Sequence, residues 1–282
     1  MKILIIGSKG FIGSHAYSYF SDIAQTWECD VHSNYGSKNY IRFLPETNFF
    51  SDLFQSQSFD FCINCSGAAS VQDSILKPEG DYNLNTLNVF RILESIRKHQ
   101  PNCRFINLSS AAVYGNPKTL PIKESQYANP ISPYGFHKLQ AEILCREFSS
   151  LYGLKTCSLR IFSAFGSGLR KQLFWDLNEK LKSKTPIKLF GSGNETRDFI
   201  HVSDIIQLIH LIIQKDKFDN DIYNVANGEK IKISEAVRLF YEISDCKIEW
   251  KFIGHEIEGY PTEWQADIQK IKSLGYKKTI EI

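Results

Sequence analysis

The chain opens Met1-Lys2-Ile3-Leu4-Ile5-Ile6-Gly7, an unbroken apolar stretch that stops at a glycine, and similar stretches recur through its first two-thirds. They run from Cys29 to Ser33, Phe59 to Cys65, Cys103 to Ser109 and Lys155 to Ile161. Apolar runs of this length, bounded by turn residues, read as strands buried on both faces. Segments of helical periodicity follow each of them except the second. Strand and helix in alternation predict an α/β fold, a doubly wound parallel sheet of Rossmann type. One helix announces its start: Ser132 offers an N-cap hydroxyl, Pro133 suits the first helical position, and the periodic segment continues to about Leu151. After Phe165 the pattern changes to helices with short extended pieces, Ile187 to Phe190 and Asp198 to Val202 among them. The expected division is therefore residues 1–165 for the wound sheet and 166–282 for a smaller C-terminal region, some of whose segments cross back.

Composition narrows what such a fold is for. With 282 residues, 43% hydrophobic and 23% charged, the chain is an ordinary globular one able to bury a full core. A net charge of +2 cannot supply the field of a dedicated duplex binder, so no nucleic acid is expected as partner. The first apolar run is too short for a signal-peptide core, no stretch is long enough to span a bilayer, and no membrane association is expected. Seven cysteines, at Cys29, Cys62, Cys65, Cys103, Cys145, Cys157 and Cys246, argue by their odd number and scatter against a secreted disulfide framework. Reduced thiols and a cytoplasmic location follow as expectations. Cys62 and Cys65 match C-x-x-C, but in a strand residues three apart point to opposite faces, so the pair reads as small buried hydrophobes. No histidine spacing supports a metal site.

Gly7-Ser8-Lys9-Gly10-Phe11-Ile12-Gly13 follows the first strand and opens a helix. In that position Gly7 permits a tight turn, Gly10 lets backbone approach a pyrophosphate and Gly13 allows close helix packing, while the helix N-terminus offers free N–H groups, those of Phe11 and Ile12 among them. The expected ligand is a dinucleotide. A site selective for NAD carries a carboxylate after the second strand, for the adenosine ribose hydroxyls. There the chain has His32-Ser33-Asn34, and the nearest acid, Asp30, falls inside the expected strand. Lys9 within the loop, helped by Lys38 or Arg42, is placed to meet a 2′-phosphate. NADP is thus the preferred cofactor on this reading and NAD the alternative.

Tyr134 and Lys138 stand at i and i+4 on one face of the helix begun by Pro133. A phenol titrates near ~10, so it works as an acid or base at neutral pH only where a cation stabilises the phenolate. Lys138 is placed to do so. Tyr114 and Lys118 share the spacing, but Gly115 and Pro117 between them predict a loop. The hydroxyl needed to orient a substrate oxygen is supplied by Ser110, at the carboxyl end of a parallel strand, where open α/β sheets bind ligands.

With these residues in place the chain resembles the extended short-chain dehydrogenase/reductase family, in its nucleotide-sugar epimerase, dehydratase and reductase group. The resemblance extends through Leu159-Arg160-Ile161-Phe162, Ser163-Ala164-Phe165-Gly166, Gly191 to Asp204, Tyr223-Asn224-Val225 and Ala266-Asp267-Ile268. It implies Tyr134 as acid/base, Lys138 as the group that lowers its pKa and holds the nicotinamide ribose, and Ser110 as the hydroxyl partner. It further implies Asn85 as support for the lysine, Asp52-Leu53 beside adenine, Arg197 at the diphosphate of a nucleotide-sugar substrate, Ser163 in the substrate loop, and a homodimer paired through the Leu84 to His99 and Pro133 to Leu151 helices.

The departures decide between reactions. Ala111-Ala112 stand where dehydratases of this group carry Asp-Glu, which disfavours removal of water, and Ala112 also replaces the cysteine of an epimerase-reductase branch. Ser163 replaces an asparagine, and no second arginine appears around Tyr260-Pro261-Thr262-Glu263. Together with Lys9 these features lead to the expectation of a 4-ketoreductase acting on a nucleotide-linked 4-keto-6-deoxy sugar. The alternative is a 4-epimerase holding NAD throughout; a non-catalytic regulator has no use for the Ser110, Tyr134 and Lys138 set.

Overall fold

Seven parallel strands form one sheet, whose central strands are short and buried because helices cover both faces, while its two edge strands are partly exposed. A computed structural model describes the chain except residues 34, 35, 37, 45–47, 183–186, 245–248, 255–258, 260 and 282. The strands are β1 (Lys2–Ile6), β2 (Gln25–Asp30), β3 (Tyr40–Arg42), β4 (Phe61–Asn64), β5 (Arg104–Ser110), β6 (Thr156–Ile161) and a last one at Asp219–Val225. Their order across the sheet is Asp219–Val225, β6, β5, β4, β1, β2, β3. Chain order therefore reverses between β1 and β4, and the crevice outside their carboxyl ends is where such sheets take ligands.

The helices are α1 (Phe11–Ser21), α2 (Phe49–Ser56), α3 (Val71–Leu76), α4 (Pro78–Tyr82), α5 (Asn88–His99), α6 (Pro133–Tyr152), α7 (Gln172–Leu181), α8 (Val202–Gln214), α9 (Ile233–Ile243) and α10 (Gln269–Ser273). A π-helical turn, Asn83–Leu87, joins α4 to α5. Each sheet face has its own apolar core. Ile3, Ile5, Ala16, Ile106, Leu159, Ile205 and Ile209 pack on one face; Leu4, Ile6, Phe54, Ile92, Phe105 and Phe148 pack on the other. A third, smaller cluster of Leu177, Ile187, Leu189, Val237 and Tyr241 joins α7 and α9 to the paired strands Ile187–Leu189 and Trp250–Phe252. Between these pieces the chain returns to the main sheet, where Asp219–Val225 pairs with β6 and α8 lies against α1.

The sequence pattern misplaces one strand. β2 begins at Gln25 and ends at Asp30, whereas the apolar run suggested Cys29 to Ser33. Its inward positions Thr26, Glu28 and Asp30 are polar yet buried, so hydrophobic periodicity does not mark them, and Val31 just beyond is exposed.

Candidate active site

Gly7 leaves β1 with φ +80°, and a Cβ there would stand 2.7 Å from the Ser66 nitrogen and 2.8 Å from the Cys65 carbonyl, so the loop presses on the end of β4. At Gly13 a Cβ would come within 2.0 Å of the Gly7 oxygen, which makes any side chain there incompatible with this turn. Gly10 caps α1 without a side-chain acceptor, leaving the first-turn N–H groups of Phe11 and Ile12 to an external anion. The cradle fits the pyrophosphate of a dinucleotide.

A carboxylate does stand at the end of the second strand. Asp30 is the last residue of β2, and its Oδ2 accepts the Lys9 backbone N–H at 2.8 Å while Oδ1 accepts that of His32 at 3.3 Å. Lys9 has another partner than a phosphate: its ammonium pairs with Glu28 at 2.5 Å and lies near the Tyr17 and Tyr40 rings. Glu28 is 1% exposed, a buried charge that needs this cation. Lys38 and Arg42 are exposed, and Asn34 lies outside the described residues.

Asp52 and Leu53 do not sit at a strand end. They lie within α2, with Asp52 exposed and Leu53 in the core beside Phe50 and Phe54, because helical spacing turns those three apolar side chains to the sheet. The residues that follow β3 are Phe43 and Leu44.

Ser110 closes β5, its Oγ accepting the Ala112 N–H at 3.2 Å and lying within hydrogen-bonding reach of the Tyr134 phenol. Ser132 caps α6 by accepting the Gly135 N–H at 3.2 Å, with Pro133 in the first turn, so Tyr134 and Lys138 point the same way one turn apart. Lys138 Nζ donates to the Leu108 carbonyl at 2.9 Å and stands 5.9 Å from the Tyr134 ring centroid. Burial pulls the Lys138 ammonium down to about 8, against the negative charge of Asp81. Burial likewise pushes the Tyr134 phenol up to about 12, against the Ser110 hydrogen bond. A half-buried phenol, a hydroxyl and an ammonium in this array can move a proton on and off a substrate oxygen.

Asn85 falls in the π-helical turn, buried, its Nδ2 donating to Asp81 Oδ1 at 3.0 Å. Gly67, with φ +123°, leaves room beside it: a Cβ would stand 2.4 Å from Asn85 Oδ1 and 3.4 Å from Lys138 Nζ. Sequence reasoning names Asp30 only to set it aside, and Gly67 and the Asp81–His137 pair it does not find. Gly67 could have been sought as a glycine just after the strand that faces the loop; the pair joins residues 56 apart and leaves no local signal.

The tyrosine of the second spaced pair is structural. Tyr114 is buried, donating to Asn224 Oδ1 at 2.7 Å and accepting from Arg160 at 2.8 Å. Ser163 begins a short strand, Ser163–Phe165, paired with Phe199–His201. Arg197 lies over the Trp264 ring at 5.4 Å. Its neighbour Asp198 is wholly buried and accepts the N–H groups of Asn227, Gly228 and Ala266, a carboxylate clamp on the backbone. Six cysteines are free thiols; Cys246 and Tyr260 lie outside the described residues. Among the described residues no helix is long and apolar enough to cross a membrane.

The model of the NAD dependent epimerase/dehydratase family matches residues 3–226. A putative UDP-glucose 4-epimerase of Methanocaldococcus jannaschii is 29% identical over 299 residues, covering 99% of this chain and 94% of the relative. A UDP-glucose 4-epimerase of Halalkalibacterium halodurans is 25% identical, covering 97% and 89%. Among solved structures, UDP-glucuronic acid 4-epimerase of Bacillus cereus, in complex with UDP-glucuronic acid and NAD, superposes with a TM-score of 0.89 at 23% identity over 100% of this chain and 95% of that one. That likeness is one of fold.

Proposed function

The chain belongs to the NAD dependent epimerase/dehydratase family, and from that premise we propose that it is a 4-epimerase of UDP-linked sugars that keeps NAD through its cycle. The observation that carries the reading is the gathering of Ser110, Tyr134 and Lys138 at the carboxyl edge of the sheet that also holds the glycine loop and Asp30. The expectation of a 4-ketoreductase using NADP rested on a free Lys9, an absent carboxylate and a missing second arginine. With Lys9 paired to Glu28 and Asp30 at the strand end, the first two supports turn toward NAD, in accord with the 4-epimerases among the relatives.

Gly7 to Gly13 would hold the pyrophosphate, Asp30 the adenosine ribose and Lys138 the nicotinamide ribose. NAD, when bound, supplies reversible oxidation at the sugar C4. Tyr134, a neutral phenol until a cation beside it favours the phenolate, takes the C4 hydroxyl proton in its ionised form and later returns one, Ser110 orients that oxygen, and Ala111-Ala112 offer no acid and base for expelling water. Residues 1–165 form the cofactor part and 166–282 the substrate part, with Arg197 and Ser163 on the substrate side. Leu84, Phe90, Phe136, Ile143 and Leu151, all large and exposed along the π-turn, α5 and α6, fit a homodimer built on those helices. The free thiols accord with a reducing compartment such as the cytoplasm.

The test is direct. The purified protein, given UDP-glucose and no added cofactor, should form a C4 epimer while nicotinamide absorbance stays constant, and should release NAD on denaturation. Stoichiometric consumption of added NADPH by a nucleotide-linked 4-keto sugar would return the reading to a reductase.

A further inference from the structure

His137 precedes Lys138 on α6, and its Nδ1 meets Asp81 Oδ2 at 2.6 Å across the gap to α4. Asp81 is 4% exposed, and its other oxygen accepts from Asn85 Nδ2 at 3.0 Å. An ionised carboxylate accepts and cannot donate, so Asp81 dictates how the amide is turned: nitrogen toward itself, oxygen away. Asn85 Oδ1 is buried and takes no hydrogen bond from the described residues. It and Lys138 Nζ both lie within 3.4 Å of the point a Gly67 Cβ would occupy, so acceptor and ammonium look onto the same small space. The His137 backbone carbonyl accepts from Thr86 Oγ1 at 3.0 Å, and its ring meets the edge of Tyr82 at 5.4 Å. Three pieces, α4, the π-turn that follows it and the distant α6, are thus fastened at one buried carboxylate.

We propose that Asp81 and His137 are a positioning pair for Lys138: together they aim Asn85 Oδ1 at the ammonium and set beside it the negative charge that keeps it protonated. The inference rests on the role of Lys138 under the proposed function. Asp81, Cys65 and Glu142 are the groups whose charge favours the ammonium against its desolvation. Two of the three are committed or neutral. Glu142 is tied to Arg160 at 2.7 Å and to Ser109 at 2.6 Å, while burial pushes the Cys65 thiol up to about 12. Tyr134, the remaining titratable group at the ammonium, carries no charge below that range. Asp81 is the carboxylate left to act. His137 faces Asp81 and the Tyr82 ring, and its part is to donate from Nδ1, which a neutral imidazole does as well as a charged one.

The experiment follows the Lys138 side chain in the NAD-free full-length protein carrying [ε-13C]lysine, its resonance assigned by the signal lost in Lys138→Met. Asp81→Asn should lower the Lys138 titration midpoint by about one pH unit, the lower end of what a neighbouring opposite charge supplies. His137→Leu should move it the same way, and His137→Asn, whose amide N–H can replace Nδ1, should restore it. On UDP-glucose the alkaline limb of the kcat profile should move with the midpoint while KM holds. A midpoint unmoved in folded Asp81→Asn overturns the proposal. Should that variant not fold, equal midpoints in His137→Leu and His137→Asn overturn it. Midpoints that shift as expected in a protein inert toward UDP-sugars keep the pair and sink the epimerase reading; turnover with fixed midpoints does the reverse.

Discussion

The carboxylate of Asp30, the last residue of β2, accepts the backbone N–H of Lys9 at 2.8 Å, tying the strand end to the glycine loop. The same lysine, through its side chain, neutralises Glu28 two residues earlier on the strand. Two acidic residues thus face one loop residue in different ways. Both are buried, but one is paired with a cation and the other, at the end of the strand, with backbone N–H groups alone.

For the cofactor, a carboxylate at that strand end accepts hydrogen bonds from ribose hydroxyls and repels a 2′-phosphate. NAD should therefore bind about ten-fold or more tighter than NADP, a difference of ~1.4 kcal/mol that one charged hydrogen bond can supply. Calorimetry on the stripped protein measures it, and Asp30→Ser should remove most of the preference. Equal affinities in the wild type would count against the assignment of Asp30.

Lys9→Ala tests stability where the sequence alone would have aimed it at the 2′-phosphate. Removing the cation leaves Glu28 as an uncompensated buried charge, and because Lys9 itself is about a third exposed the cost should be ~2 kcal/mol, less than for a fully buried pair. Urea unfolding should show the loss, and adding Glu28→Gln should recover it. If the single variant is as stable as the wild type, the ion pair contributes nothing.

Tyr134→Phe and Tyr114→Phe should separate chemistry from scaffold. The first should keep the fold and cofactor affinity while turnover falls by roughly 100-fold or more, as for a lost general acid and base. The second deprives the buried Asn224 Oδ1 of its donor and Arg160 of one acceptor, while Arg160 keeps Glu142, and should cost about 1–3 kcal/mol of stability with a smaller effect on kcat. Comparing unfolding midpoints with steady-state rates would expose a reversal of these roles.

Which parts of this were readable in advance follows from how each is stabilised. β1 matches its apolar run at both ends, since a strand buried on two faces by hydrocarbon alone writes itself as Ile3-Leu4-Ile5-Ile6 followed by glycine. α6 is equally legible, because Ser132 and Pro133 encode its first turn locally, and with it come Tyr134 and Lys138. β2 is not. Its inward Glu28 is acceptable only because Lys9, from another loop, neutralises it, a tertiary fact that no window of hydrophobicity contains. Misplacing that strand moved Asp30 inside it and turned the cofactor preference toward NADP. The Asp52-Leu53 match fails for the opposite reason: residue type agreed with a motif while helical spacing had already assigned Leu53 to the core. The Asp81–His137 contact depends on how α4 meets α6 and appears only once the fold is known.

Lys138 should reveal its burial in the pH dependence of stability. Its folded value is lowered to about 8 by desolvation, whereas in the unfolded chain it returns to the ordinary lysine range near ~10.4. Below pH 8 both states carry the ammonium, and the folded protein bears the full cost of burying it. Between these values the unfolded chain binds more protons than the folded one, so stability rises with pH. The gain on passing from pH 7 to pH 10.5 is on the order of 3 kcal/mol for this one group. Other residues titrate in the same window, and the difference between wild type and Lys138→Met cancels them. The variant loses the hydrogen bond to the Leu108 carbonyl but buries no charge, so the wild type should gain on it steadily across that interval. Unfolding measured in urea at half-unit steps, without cofactor, gives the curve. A difference that stays flat across the interval would mean that the ammonium is solvated, and the pKa lowered by burial would have to be abandoned.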